Sequence, residues 1–165
     1  MTAAPKIKTV ALGATEEGIA EAEAALGFRF AEDLREAWKQ YNCIELRGGW
    51  RVFPIFDPAN PRKTCTSISF ENLKGAWGQE VMAEGLVTIA DNGTGNQLVL
   101  KVDAGQAGDQ VFHWHHETHR LSPWKPGLAS IRAAAEKARK QVLEIQARFA
   151  NPRPSQARVG HNYDT

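Results

Sequence analysis

Apolar residues recur at helical spacing in three stretches of the chain. Thr15 is a good N-cap for the first stretch, and Gly27 is positioned to end it. The second stretch opens with two acidic residues, which favour the positive end of a helix. The three stripes comprise Ile19, Ala22 and Leu26; Leu34, Ala37, Trp38 and Tyr41; and Ile131, Ala134, Ala138, Val142, Ile145 and Phe149. This spacing predicts helices over residues 15–26, 32–42 and 128–149.

The middle of the chain carries strand-like patterns instead. Two β-like runs within residues 86–103 flank a turn, Asp91–Asn96, that is dense in Asp, Asn and Gly. These residues tolerate left-handed backbone angles, so the two runs are predicted to form a hairpin. Short strands are also expected at 44–46, 50–55 and 111–114, a short helix at 69–77, and a loop at 57–63 where two prolines disfavour regular structure.

These elements predict an α+β fold with two N-terminal helices, a mostly antiparallel sheet and a long C-terminal helix. We expect one domain over residues 14–150, because the pattern contains no internal repeat and no second core. Residues 1–13 are predicted to form an arm or edge strand anchored by Ile7, Val10 and Leu12. Residues 151–165 are rich in polar residues and proline and are predicted to be a disordered tail.

Composition narrows the class of protein without naming a function. The chain has 165 residues, of which 42% are hydrophobic and 24% charged, ordinary values for a globular domain. A net charge of +1 gives no strong field toward nucleic acid or a membrane, so neither partner is expected. The two cysteines, Cys43 and Cys65, form no metal-binding or disulfide pattern. No signal peptide and no long apolar run are evident, so we expect a cytoplasmic protein.

Six segments of the chain occur in an informative order. They are Thr15–Leu26, Phe28–Asn42, Trp50–Ile55, Ile89–Leu100, Val111–Glu117 and Leu128–Ala135. This order resembles the SUKH superfamily of immunity-protein and cell-wall-regulator domains. The chain departs from the pattern at Ala31, where proline is usual, and at Cys43, where glycine often follows the asparagine. The resemblance therefore concerns the superfamily rather than a particular close relative.

The resemblance implies binding rather than chemistry. A SUKH-like immunity protein would bind and neutralise a cognate protein toxin, for which a nuclease is one candidate, by stoichiometric binding. No catalytic residue is carried over and no cofactor is expected, so the chain is not expected to be an enzyme. An intracellular regulatory scaffold of the same fold remains an alternative.

The two N-terminal helices carry the acidic residues that we expect to face a partner. At about 100° per residue, Glu17 and Glu21 lie opposite the apolar stripe of the first helix. Glu32 and Glu36 lie opposite the stripe of the second helix. Both pairs are therefore predicted to be exposed, where they would steer a basic partner such as a nuclease. The alternative is that they only solubilise the helices and that the partner binds the sheet or its loops.

A histidine-rich segment, His113–His119, is the rival candidate site. On a strand, His113 and His115 would share a face and could bind one metal ion; on a helix, His115 and His119 would do so. The zinc-protease motif fails here, because Glu117 and His119 are separated by one residue too few. A small metal-binding protein or enzyme is therefore the alternative function, and a histidine-rich edge strand without metal is the simpler interpretation.

Two further patterns are interpreted as structural. The turn at Asp91–Asn96 fails as a calcium loop, because Gly93 occupies its third position and Val102 its twelfth. The tryptophans sit beside apolar residues, so we expect core packing rather than an aromatic binding surface. Those considered are Trp50, Trp77, Trp114 and Trp124.

Overall fold

The computed structural model describes residues 12–150. The predicted tail and almost all of the predicted arm lie outside the described residues. The helices are α1 (Glu16–Leu26), α2 (Glu32–Gln40), α3 (Pro61–Thr64), α4 (Ile68–Leu73), α5 (Ala76–Ala83) and α6 (Gly127–Ala150). The strands are β1 (Arg51–Val52), β2 (Leu86–Asp91), β3 (Gln97–Asp103), β4 (Gln106–Ala107), β5 (Phe112–Trp114) and β6 (Leu121–Pro123).

The strands form one antiparallel sheet in the order β1-β2-β3-β5-β6, and β4 pairs with the end of β3. The predicted hairpin is its centre, where β2 and β3 pair with Val87 opposite Leu100. A register irregularity between Thr88 and Ala90 shifts the pairing near the turn. With helices at both ends of residues 12–150, this arrangement confirms the predicted α+β fold.

The N-terminal helices begin and end where local residues specify. The Thr15 hydroxyl accepts a hydrogen bond from the Gly18 amide at 3.0 Å, which caps α1. Gly27 ends α1 with a φ of 87°, in the left-handed region that glycine adopts readily. At α2 no side chain caps the first turn, because Ala31 occupies the N-cap position.

The main core lies between one face of the sheet and helices α1, α2 and α6. It is built from the stripes predicted on α1 and α2 and the first part of the stripe on α6, together with apolar residues of β2 and β3. Trp38 is completely buried there, and its indole nitrogen donates to the Phe53 carbonyl at 3.0 Å. A smaller cluster on the opposite face joins Val81 of α5 to Trp114 of β5. Helices therefore cover both faces of the sheet.

Three local predictions need correction. The loop at 57–63 contains the start of α3, because Pro61 stands at the first helical turn, where a missing amide hydrogen costs nothing. The helix expected over 69–77 is two helices, α4 and α5. They pack so closely that a Cβ on Gly78 would lie 1.8 Å from the Glu71 carbonyl oxygen. The strand expected at 44–46 is reduced to one bridge, between Glu45 and Arg51.

The predicted C-terminal helix is confirmed, but only its first half packs in the core. Ile131 is completely buried, and Arg132 pairs with Asp33 of α2 at 3.0 Å. Further along the same stripe, Ile145 is 50% exposed and Phe149 is 82% exposed. The apolar face of α6 therefore continues beyond the body of the domain. No helix within residues 12–150, including α6, has both the length and the apolar character needed to cross a membrane.

Candidate functional site

A buried arginine joins the two acidic helices. Arg35 of α2 is only 4% exposed, and its guanidinium contacts the carboxylates of Glu16 and Glu23 on α1. The Glu23 carboxylate also accepts a hydrogen bond from the Phe30 amide at 2.8 Å, so both Arg35 and this amide stabilise its negative charge. This network fixes α1 against α2. It therefore sets where the remaining acidic residues of both helices point.

Two of the three acidic residues of α2, Asp33 and Glu36, pair with cations. Lys39 contacts Glu36 at 3.2 Å and also contacts Glu16. The hydrogen bond from Lys39, followed by that from Arg35, lowers the pKa of Glu16 to about 2. The pKa of Glu36 is also lowered, first by Lys39, and Arg132 adds to this effect. The prediction that both acidic pairs are exposed is wrong for Glu36, which is half-buried, and is confirmed for Glu32.

Glu17 and Glu21, the other two acidic residues of α1, lie in a different environment. Glu17 and Glu21 are exposed, and within residues 12–150 no ion pair involves either carboxylate. Both line a cleft of about 210 Å³ between α1 and the loop that follows β1. The opposite wall includes Phe56, whose side chain is 48% exposed, and Asp57. The cleft thus combines uncompensated negative charge with an accessible aromatic ring.

A buried asparagine holds the loop wall of this cleft in place. The Asn42 side chain donates to the Ile55 carbonyl at 2.8 Å and accepts the Ile55 amide at 2.9 Å. This pair of bonds imitates a strand pairing and ties the end of α2 to the loop. Phe56 and Asp57 follow directly, so Asn42 positions the residues that face Glu17 and Glu21.

His113 and His115 lie close together at β5, whereas His116 and His119 lie in the turn that follows. The Nδ1 atom of His113 lies 2.9 Å from Nε2 of His115, as predicted for a strand face, and His113 packs edge-on against Trp50. Burial, together with His115, lowers the pKa of His113. His119 lies apart from this pair, where its Nδ1 atom contacts Glu84. In the described part of the chain, no group of three or more His, Cys, Asp or Glu residues is arranged to hold a metal ion.

Trp77 departs from the predicted core role. It is 39% exposed, and its ring packs against His116 with centroids 5.1 Å apart. Gly95 lies beneath both rings, and a Cβ there would approach His116 at 3.0 Å and Trp77 at 3.1 Å. Trp50 and Trp114 are buried as predicted, and Trp124 is partly buried. The glycine-rich turn therefore packs beneath the aromatic pair of Trp77 and His116.

Sequence reasoning located the acidic helices but missed the aromatic side of the cleft. Phe56 follows four consecutive buried residues, 52–55, so strand alternation gives no signal that it points outward. Asn42 was predicted only to end α2. Its bonds to Ile55 join residues 13 positions apart, which no local pattern records.

Comparison with known proteins identifies one family. The model of the SMI1 / KNR4 family (SUKH-1) matches residues 13–127. The match covers more than half of the chain and extends from the start of α1 to the first residue of α6. No curated protein and no solved structure matches the chain.

Proposed function

The chain belongs to the SMI1 / KNR4 (SUKH-1) family, and from this premise we propose that it neutralises a cognate protein toxin by stoichiometric binding. Membership supports an immunity or interaction role at the level of the family, whose domains generally act without catalysis. Beyond this family-level role, we propose that the partner is a toxin, that the chain acts in the cytoplasm, and that residues 14–150 form the single binding domain. A nuclease is the toxin class that best fits an acidic binding surface.

The observation that carries the proposal is the cleft containing Glu17, Glu21 and Phe56. Exposed carboxylates without cation partners attract a basic protein over distances of about 8 to 10 Å at physiological ionic strength. An exposed aromatic ring beside them provides apolar area that a partner can bury. A toxin that binds nucleic acid carries a basic surface, which matches this combination.

The four glutamates predicted to face a partner contribute unequally to the proposed partner surface. Glu17 and Glu21 retain their charge for a partner, whereas Glu36 is already paired with Lys39. Glu32 is exposed and lies beside the paired Glu36 on the same side of α2. We therefore place the centre of the partner surface at Glu17 and Glu21 and its edge at Glu32 and Glu36.

The alternative roles have less support. A regulatory scaffold would use the same family fold and the same kind of surface, and it differs only in having a partner that is not a toxin. A metal-dependent role would need further ligands around His113 and His115, and His119 lies away from them. The family match adds no support for metal chemistry.

The test is protection of cells by co-expression. The chain would be expressed with the toxin encoded in the adjacent reading frame, and survival would be measured at several ratios of the two proteins. Stoichiometric binding predicts that protection fails once toxin exceeds the chain, and that the two proteins co-purify. Protection by substoichiometric amounts of the chain, or no association with any neighbouring product, would contradict the proposal.

A further inference from the structure

The C-terminal helix presents an apolar track that only partly contacts its own domain. In the first half of α6 the track faces the core, and in the last two turns it faces solvent at Ile145 and Phe149. Ala138 and Val142, between these regions, are half-buried. The end of α6 from Val142 to Ala150, here called the tip, therefore carries exposed apolar residues in line with the buried stripe.

A groove lies beside the same helix. Its volume is about 790 Å³, and one wall is formed by the small side chains of α6 at Ala133, Ala134 and Ala138. The opposite wall includes Tyr41, Leu46 and Trp124. Alanines on one wall and larger apolar residues on the other leave room for an inserted side chain. The groove ends at Gln141, directly before the tip.

We propose that two copies of this chain associate through antiparallel α6 helices, with the tip of each copy seated at the Ala138 end of the other copy's groove. Phe149 and Ala138 are 11 residues apart, which is about 16 Å along the helix and close to three full turns. Both residues thus lie on one face, and an antiparallel partner places each Phe149 against the other copy's Ala138. The arrangement closes with two-fold symmetry, because each chain supplies one tip and one groove.

Size and charge are consistent with this occupant. A Phe side chain buries about 150 to 250 Å². With Ile145 and the groove walls, two symmetric contacts bury on the order of 1,000 Å², at the lower end of specific interfaces. Groove and tip each carry both signs of charge, with Glu45, Arg47 and Lys137 in the groove and Glu144 and Arg148 on the tip. We therefore expect a weak dimer whose population depends on protein concentration.

The experiment is sedimentation velocity of the full chain from micromolar to submillimolar concentration. The average mass should rise from 18.2 kDa toward twice that value. Phe149→Ser should raise the dimer dissociation constant at least about tenfold without affecting folding, because this side chain is already exposed. The matched control is Leu143→Ser, because Leu143 lies within the tip but about 120° around the helix from Phe149, and it should leave the constant within about twofold.

A second variant tests the groove independently of the tip. Ala138→Arg fills the groove and should also weaken association, while a mixture of Phe149→Ser and Ala138→Arg chains retains one intact contact and should associate better than either variant alone. A wild-type chain that stays monomeric at every concentration would overturn the proposal. Equal effects of Phe149→Ser and Leu143→Ser, or no effect of Ala138→Arg on a folded dimer, would overturn it as well.

Discussion

Replacing Asn42 with alanine removes the side chain that positions one wall of the acidic cleft. Asn42 is buried, and its two hydrogen bonds to Ile55 join the end of α2 to the loop that carries Phe56. The substitution leaves the Ile55 amide and carbonyl without these partners in a buried environment. Ile55 itself is 1% exposed, so water replaces the lost bonds poorly.

The expected magnitude follows from the number of groups left unsatisfied. A buried donor or acceptor that loses its partner costs about 1 to 3 kcal/mol. Two such groups, with some relaxation of the loop, predict that Asn42→Ala lowers the free energy of unfolding by about 2 to 4 kcal/mol. The loosened loop should also allow faster hydrogen exchange at the Ile55 amide than at amides of the central hairpin.

Urea unfolding followed by tryptophan fluorescence measures the free energy, and hydrogen exchange resolves the amide. Asn60→Ala is the matched control, because Asn60 lies in the neighbouring loop and its side chain makes no capping bond to α3. It should change stability by no more than about 0.5 kcal/mol. A loss below about 1 kcal/mol for Asn42→Ala, or unchanged exchange at Ile55, would refute the reasoning.

Three further predictions concern charged and titratable groups. Arg35→Met should lower the free energy of unfolding by about 3 to 5 kcal/mol in urea, because it leaves Glu23 largely buried without its cation, and Arg35→Lys should lose less. The pKa of Glu16 is lowered to about 2, so its contribution to stability is present above pH 4.5 and is lost as the pH falls toward 2. In an acid titration, the free energy of unfolding of Glu16→Gln should therefore fall less steeply over that window than that of the wild type. The double variant His113→Gln/His115→Gln should remain folded by circular dichroism, and untagged wild-type protein should contain no stoichiometric zinc, nickel or copper. One equivalent of metal that disappears in the double variant would instead support a metal site.

The helices and the central hairpin were predictable because their signals are local. Thr15 and Gly27 bound α1 through capping chemistry that involves residues within one turn. The hairpin follows from the Asp, Asn and Gly residues between two β-like runs. Where short elements depend on tertiary packing, as at the junction of α4 and α5, the pattern alone did not locate them.

The candidate site was predictable only in part, for a physical reason. Helical periodicity shows that Glu17, Glu21 and Glu36 avoid the apolar stripe, but it does not show which cations approach from other elements. Lys39 lies three residues after Glu36 on the same helix, so their pairing is predictable from the sequence. Arg132 pairs with Asp33 of α2 across nearly a hundred residues, which no local pattern predicts. The charge that remains for a partner is thus set by tertiary structure.

The central claim is most directly tested by calorimetric titration of the purified chain with its cognate toxin at several salt concentrations. We expect one chain per toxin and an affinity that falls as the salt concentration rises. Glu17→Lys/Glu21→Lys should weaken binding and reduce its salt dependence, while Glu32→Lys/Glu36→Lys has a smaller effect. Equal binding by wild-type and Glu17→Lys/Glu21→Lys chains would contradict the assigned surface, and the absence of a one-to-one complex with any toxin would contradict the proposed function.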